Sequence, residues 1–506
     1  MSNISFPLSI EEVPDFAQVK PVNQVSYLRG GLMIPATRTK KLYSPITVGG
    51  EPFYLGTLPD MTAAESLSSL DAAVTAYNGG RGEWPSMSVS QRCDAMRKFV
   101  SLMKLHKDHI VRFLMWEICK KYSDSVAEFE RTVKYVEDTI AAYEKKQTIV
   151  TNEIEGYLVK YKTTPRGVVL CMAPFNYPLN ETFTNLIPAI LCGNTVIFKP
   201  AKLGVMLLEP LLECFRQAFP AGVVNTVYGE GKEQIQPIME SGKINILAFI
   251  GSDFVANIVL GYAKNRTEIT CVFGGGAKNA GIALKSANIV KYINEILAGA
   301  YSNSSMRCTA LKILWIHRSL INAFLKLIVP AVEALPVTMP WDTEASSPTI
   351  IPLPEPNKIQ AMRALLDEAI SKGAQILNKG GGEAVGCLMN PVLLFNVTPD
   401  MKIYWDEPFG PILPIVVFDD IQEVIDYHHQ SPYGQQASIF GEDEEEVAYI
   451  DDALDNLVAR TNINMQCQRG PDAVLFDGRK KSALTALSMD KALDVYSIVK
   501  VQARKK

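Results

Sequence analysis

The stretch Gly167-Val168-Val169-Leu170-Cys171-Met172-Ala173-Pro174-Phe175-Asn176 opens a run, ending near Phe273, in which short apolar segments alternate with helical patterns. Val168–Cys171 predicts a strand, Asn180–Cys192 a helix and Thr195–Phe198 a strand. The order continues with a helix over Val205–Phe219, a strand over Val223–Tyr228, a helix over Gln234–Ser241 and a strand over Asn245–Ile250. These strands are apolar throughout, the pattern of a parallel sheet covered by helices on both faces. Ligands in such sheets bind beyond the carboxyl ends of the strands. Asn176, Lys199, Gly229 and Gly251 each stand just after a predicted strand, which makes them candidate site residues.

Upstream, apolar residues recur at helical spacing from Thr62 to Tyr77 and from Ser90 to Tyr143, predicting helices that flank the sheet. The segment Ile10–Lys41, rich in Pro, Gly and Val, reads as an irregular surface arm. A second α/β alternation runs from Val290 to about Phe440. Thr148–Thr164 and Leu493–Val501 alternate polar and apolar residues instead. A chain of 506 residues is too long for one core and predicts two or three domains.

Composition excludes several classes of function. With 47% hydrophobic and 21% charged residues the chain reads as an ordinary globular protein. A net charge of −4 argues against a nucleic-acid or anionic-membrane surface. No run approaches the roughly 20 apolar residues of a membrane span, and the start, Met1 to Pro7, lacks a secretory pattern. Nine scattered cysteines without a CxxC pair predict reduced thiols and a cytoplasmic protein. The histidines, including His106, His109, His428 and His429, lack metal-ligand spacing and read as solvated, so no metal is expected.

The reactive residue is sought at Cys308, in Asn303-Ser304-Ser305-Met306-Arg307-Cys308-Thr309-Ala310-Leu311-Lys312. A free cysteine is most often a small buried hydrophobe. Here Arg307, Thr309 and the preceding Ser and Asn residues supply the cationic, polar setting that favours a nucleophilic thiolate. A second run, Trp405-Asp406-Glu407-Pro408-Phe409-Gly410-Pro411, lies about a hundred residues downstream.

Together with Ala173-Pro174-Phe175-Asn176-Tyr177-Pro178, Phe198-Lys199-Pro200-Ala201 and Gly251-Ser252, these runs resemble the aldehyde dehydrogenase superfamily over nearly the whole chain. The resemblance implies an α/β fold with a doubly wound cofactor-binding domain over residues 1–147 and 169–285. It further implies an α/β catalytic domain over 286–484 and a β-arm for oligomerisation over 148–168 and 485–506, hence a homodimer or homotetramer. Cys308 becomes the nucleophile that forms a thioester, and Asn176 the oxyanion donor. The cofactor falls to Lys199, Lys202, Gly229, Gly251, Ser252, Glu407 and Phe409. Members preferring NAD often carry a glutamate at the place of Lys202; a lysine there favours the 2′-phosphate of NADP, with NAD as the alternative.

Within the superfamily, the likeness is to the NADP-dependent, non-phosphorylating glyceraldehyde-3-phosphate dehydrogenases. Asn176-Tyr177-Pro178-Leu179-Asn180, Glu130-Arg131-Thr132, Arg307 and Gln468-Arg469-Gly470-Pro471-Asp472 carry it. It implies a phosphorylated aldehyde held by Arg131, Tyr177, Arg307 and Arg469, since guanidinium forks suit phosphate. One motif departs. Where the family has Glu-Leu-Gly-Gly-Lys, with the base that activates the deacylating water, this chain reads Cys271-Val272-Phe273-Gly274-Gly275-Gly276-Ala277-Lys278-Asn279. No register supplies a carboxylate, and Glu268 is the nearest. The Gly-Ala-Lys-Asn string resembles methylmalonate-semialdehyde dehydrogenases, which pass the acyl group to coenzyme A. Three outcomes stand open: a substitute base such as Glu407, coenzyme A as acceptor, or a cofactor-binding protein with little catalysis. The run Lys481-Ser482-Ala483-Leu484-Thr485-Ala486 also departs, replacing a glycine-rich loop of the family.

Overall fold

The computed structural model describes residues 6–146, 151–264 and 266–506. Five strands form the first sheet, in spatial order Thr270–Gly274, Ile246–Ile250, Val168–Met172, Thr195–Lys199, Val224–Thr226. All four pairings are parallel. The chain order is therefore 5-4-1-2-3, and the topological switch lies between Val168–Met172 and Ile246–Ile250, where ligands bind in doubly wound sheets. The strands are continuously buried because helices such as Ala63–Tyr77 and Asn180–Leu191 cover them. The helix expected over Val205–Phe219 begins instead as a 3-10 turn at Met206–Leu208, and Pro210 then stands in the first turn of the α-helix.

The second sheet has seven strands, ordered Gln375–Ile376, Val392–Phe395, Ile412–Phe418, Leu311–His317, Asn279–Ala283, Gln436–Phe440, Arg460–Ile463. Every pairing is parallel except that of the short edge strand Gln375–Ile376. Asn279–Ala283 lies inside this sheet, between Leu311–His317 and Gln436–Phe440. Residues 279–283, expected in the cofactor-binding domain, thus stand in the second sheet, reached through the glycine-rich run that passes from one sheet to the other.

The helical region resolves into Ala63–Tyr77, Val89–Lys104, Lys107–Glu117 and Tyr122–Lys146. The segment expected to be irregular, Ile10–Lys41, contains a hairpin of Tyr27–Arg29 with Leu32–Ile34 and the start of a second, Thr39–Val48 with Glu51–Pro59. The arm is a three-stranded antiparallel sheet in which Tyr157–Pro165 pairs with both Thr151–Ile154 and Ser497–Lys505. The first three residues of the expected arm segment, 148–150, lie outside the described residues, as do residues 1–5 of the quoted start. Met489–Val495, assigned to the arm from sequence, is a helix packed on Asn180–Leu191. His428 is not solvated: it is buried, bonded through Nδ1 to the Val424 carbonyl, and burial pushes it down to about 4. Among the described residues no cluster of His, Cys, Asp or Glu could hold a metal, and no helix is long and apolar enough to cross a membrane.

Candidate active site

A cavity of about 1620 Å³ opens at the switch point between the two sheets and is lined by Asn176, Glu181, Cys308 and Glu407 among others. Cys308 sits in the turn between the helix Ile289–Tyr301 and the strand Leu311–His317. The turn is unusual: Asn303, Ser304 and Ser305 all have positive φ, at 53°, 49° and 62°. Such backbone costs free energy and persists only where the surroundings over-determine it. They do so here. The Ser304 hydroxyl donates to the Ile351 carbonyl and accepts from its N–H, both at 2.8 Å. Lys312 Nζ donates to the Ser305 carbonyl at 2.7 Å, and Asn279 Nδ2 to that of Cys308 at 2.8 Å.

Cys308 is partly exposed to the cavity. Burial pushes its thiol up to about 11; Glu181 adds to the rise and Arg469 opposes it. Asn176 follows the strand Val168–Met172, and its Nδ2 donates to the Met306 carbonyl at 3.0 Å, two residues before the thiol. A side-chain amide donor and a cysteine thus share one wall.

Glu407 lies behind a short helical turn, Lys402–Trp405, with Oε2 accepting from the Ala277 N–H at 3.2 Å. Its Oε1 is buried without a hydrogen bond, 3.4 Å from Lys312 Nζ. Burial raises this carboxyl above the ordinary range although Lys312 and Lys278 oppose the shift. Phe409, at φ 48°, meets Phe175 edge-on at 5.9 Å. Lys278 Nζ donates to the carbonyls of Ile403 and Asp406, both at 2.7 Å, and so fixes the approach to Glu407. Sequence reading missed Lys278 and Lys312 as buried site residues. A lysine interrupting the apolar run Leu311-Lys312-Ile313-Leu314-Trp315 was the available signal.

At the far end of the cavity Lys199 closes the strand Thr195–Lys199, and burial lowers its amine to about 8. Lys202 is 70% exposed and pairs with Glu230 at 3.1 Å; Lys40 pairs with the same carboxylate at 2.6 Å. Gly229 has φ 131°, which favours glycine. Gly251 ends the strand Ile246–Ile250, and a Cβ there would come within 2.5 Å of the Phe249 ring. Ser252 beside it caps the helix Asp253–Gly261.

The four residues expected to hold phosphate are gathered nearby, but among the described residues that line the cavity none of them appears. Arg131 forks onto Asp472 at 3.0 and 2.6 Å. Arg469 is buried, pairs directly with Glu181 and donates to the Leu487 carbonyl at 3.1 Å. Arg307 donates to the carbonyls of Ala298 and Gly299 at 3.1 and 2.9 Å. Burial raises the Tyr177 phenol, with Arg307 opposing. In this structure Glu181 faces the cavity and Arg469, expected to hold phosphate, is paired behind it. In sequence, Glu181 looks only like an acidic residue in the first turn of a helix.

The loop that lacks the carboxylate is covered by a later part of the chain. Gly275 N–H donates to the Ser482 carbonyl at 2.8 Å and Leu484 N–H to that of Phe273 at 3.0 Å, so the departing run 481–486 lies along the glycine-rich loop. A Cβ on Gly274 would meet Leu487 at 2.9 Å. Glu268 is in a turn ahead of the strand Thr270–Gly274, not on that strand.

A doubly wound sheet, a cavity at its switch point, and a cysteine beside an amide donor on that cavity's wall define a class: dinucleotide-linked enzymes with a cysteine at the site. The aldehyde dehydrogenase family profile matches residues 38–502, and the chain belongs to that family. It is 31% identical to an NADP-dependent glyceraldehyde-3-phosphate dehydrogenase from Streptococcus equinus over 91% of this chain and 94% of that one. A malonate-semialdehyde dehydrogenase from Bacillus licheniformis is 27% identical over 79% and 82%. The crystal structure of NADP-dependent glyceraldehyde-3-phosphate dehydrogenase from Bacillus halodurans, complexed with NADP, superposes with a TM-score of 0.88 at 29% identity, covering 95% of this chain and 99% of that one.

Proposed function

We propose that the protein oxidises an aldehyde to an acid through a thioester on Cys308, with NADP as cofactor and glyceraldehyde 3-phosphate as the first candidate substrate. The observation that carries this reading is the meeting of Cys308 and the Asn176 amide on one cavity wall. The Cys308 sulfur adds to the carbonyl carbon, and the charge gained by the oxygen is met by Asn176 Nδ2 and the Cys308 N–H. NADP, when bound, supplies the acceptor for the hydride lost at that carbon. The residues fit such a cofactor. Glu407 offers an unbonded buried oxygen for a ribose hydroxyl, with Phe409 beside it. Ser252 caps the helix Asp253–Gly261 at the cavity lining, and that helix N-terminus suits a pyrophosphate. Lys199 would take the other ribose and Lys202 the 2′-phosphate, while NAD would lack that contact. The printed names of the Streptococcus and Bacillus halodurans relatives support NADP and the phosphorylated aldehyde. On this reading Arg469, Arg131, Arg307 and Tyr177 receive the phosphate after Glu181 turns away. Exposed Ile498, Val499 and Val501 on the arm support assembly into a dimer or tetramer.

A second reading, transfer of the acyl group to coenzyme A, is favoured by the loop packed over Gly274. General-base catalysis is worth roughly 10²–10⁴-fold, so hydrolysis without that carboxylate is slow. Rapid mixing of enzyme, NADP and glyceraldehyde 3-phosphate, with and without coenzyme A, separates the two. We expect a burst of NADPH followed by slower steady turnover in water alone. A burst that stalls until coenzyme A is added establishes the acyl-transfer reading. Absence of any burst rules out this aldehyde.

A further inference from the structure

The turn that carries Asn176 and Tyr177 is gripped from inside by two side chains that no step above uses. Lys120 follows the helix Lys107–Glu117, and Glu128 lies in the helix Tyr122–Lys146. Their side chains are 1% and 0% exposed and form a direct ion pair. Lys120 Nζ also donates to the backbone carbonyl of Asn176 at 2.8 Å and lies 3.6 Å from the centre of the Tyr177 ring. The other oxygen of Glu128 accepts from the N–H groups of Leu179 and Asn180, each at 3.1 Å. One ion pair therefore holds the start of the turn by its carbonyl and the end by its amides.

Stability alone does not account for the pair. Desolvation offsets most of the attraction between buried charges, and apolar replacements are often equally stable. What the pair adds here is placement. The amides of Leu179 and Asn180 stand at the start of the helix Asn180–Leu191, where N–H groups have no partner within the helix. Glu128 satisfies both and ties them to Lys120, and the cation on the Tyr177 ring adds a further contact. The only residues between the two grips are 177 and 178. Side-chain donors at a reacting centre act when held within about 0.5 Å of the productive position.

We propose that Lys120 and Glu128 are positioning residues for the Asn176 amide, setting the rate of the Cys308 addition step without contributing to cofactor affinity. This rests on the oxyanion role of Asn176. The test is a double-mutant cycle in the full-length enzyme, read as the rate constant of the NADPH burst. Glyceraldehyde 3-phosphate and unphosphorylated glyceraldehyde are both used, so that failure of the phosphate assignment is visible separately. Lys120→Met is expected to slow the burst by about 10- to 100-fold, the scale of a misplacement near 1 Å, with the NADP dissociation constant unchanged. In an Asn176→Ala background the same substitution should change the rate by less than about twofold, because coupled residues are non-additive. Should Lys120→Met fail to fold, Lys120→Met with Glu128→Gln leaves no unpaired buried charge and keeps an acceptor for the two amides; the same losses are expected of it. Equal losses in both backgrounds, or no loss in either, overturn the proposal. An Asn176→Ala enzyme with an unchanged burst removes the oxyanion role and the proposal with it.

Discussion

On the proposed reading, the wall that carries Cys308 and the anchoring wall of arginines, which stands behind Glu181 and outside the cavity lining, are built on different electrostatic plans. On the reacting wall the groups that matter are neutral donors placed by backbone: the Asn176 amide against the Met306 carbonyl, and the Asn279 amide against that of Cys308. On the anchoring wall they are charges. Two of the three guanidiniums already face carboxylates, Arg131 on Asp472 and Arg469 on Glu181. A neutral donor keeps its chemistry whatever stands nearby, whereas a charge is cancelled by a neighbour of opposite sign. The proposed reaction therefore rests on neutral groups, whereas binding of the substrate's anchoring group depends on what Glu181 does.

The largest expected effect separates the walls outright. Cys308→Ser should abolish NADPH formation while leaving NADP binding, followed by fluorescence titration, within about twofold of wild type. Retained turnover would move the nucleophile off the reacting wall altogether.

Glu181→Gln tests the anchoring wall. Removing that carboxylate's charge frees Arg469, and hydrogen bonds to charged groups are worth roughly 1.5–3 kcal/mol. The KM for glyceraldehyde 3-phosphate should fall by about tenfold, while that for unphosphorylated glyceraldehyde should hold or rise. If both move together, Glu181 shapes the cavity rather than its charge. The same variant acts on the reacting wall through pH. The Cys308 thiol, pushed up to about 11 by burial and by Glu181, is protonated in the free enzyme at neutral pH. Below that value the thiolate fraction grows about tenfold per pH unit, and thiolate is the reactive form. Iodoacetamide should therefore modify Cys308 faster at each step from pH 7 to pH 9.5 without a plateau, and Glu181→Gln should raise the rate at every pH. A plateau below pH 9 would contradict the direction of the shift.

Much of this was legible in the sequence. The first sheet follows from Val168–Met172 and Ile246–Ile250, whose unbroken apolar runs admit only burial on both faces. The hairpin Thr39–Pro59 was missed because its strands are half-exposed and begin with Thr39, Lys40 and Lys41, which read as loop. The passage into the second sheet before Asn279 left no mark because glycines at 274, 275 and 276 carry no periodicity to read. At the site, Cys308, Asn176 and Glu407 stood out because each lies in a distinctive run. Lys120, Glu128 and Glu181 did not, since a charged residue in a helical pattern reads as a solvated face. Their burial arises only when helices distant in sequence meet.

The cofactor end offers the smallest expected effect and the finest comparison with the anchoring wall. There too a cation meets a carboxylate: Lys202 pairs with Glu230, and Lys40 pairs with the same group. The difference is exposure. Lys202 is 70% exposed where the Arg469 side chain is 6% exposed, so water and salt weaken its pairing and a 2′-phosphate can compete for it. The cluster also holds two lysines for one carboxylate, leaving a net positive charge for the phosphate to meet. Lys202→Ala should lower kcat/KM with NADP by about three- to tenfold, leave the value with NAD nearly unchanged, and act more weakly as ionic strength rises. Equal losses with both cofactors would place Lys202 at the shared ribose and not at the phosphate. A loss insensitive to salt would mean that this end, like the anchoring wall, works through desolvated charge.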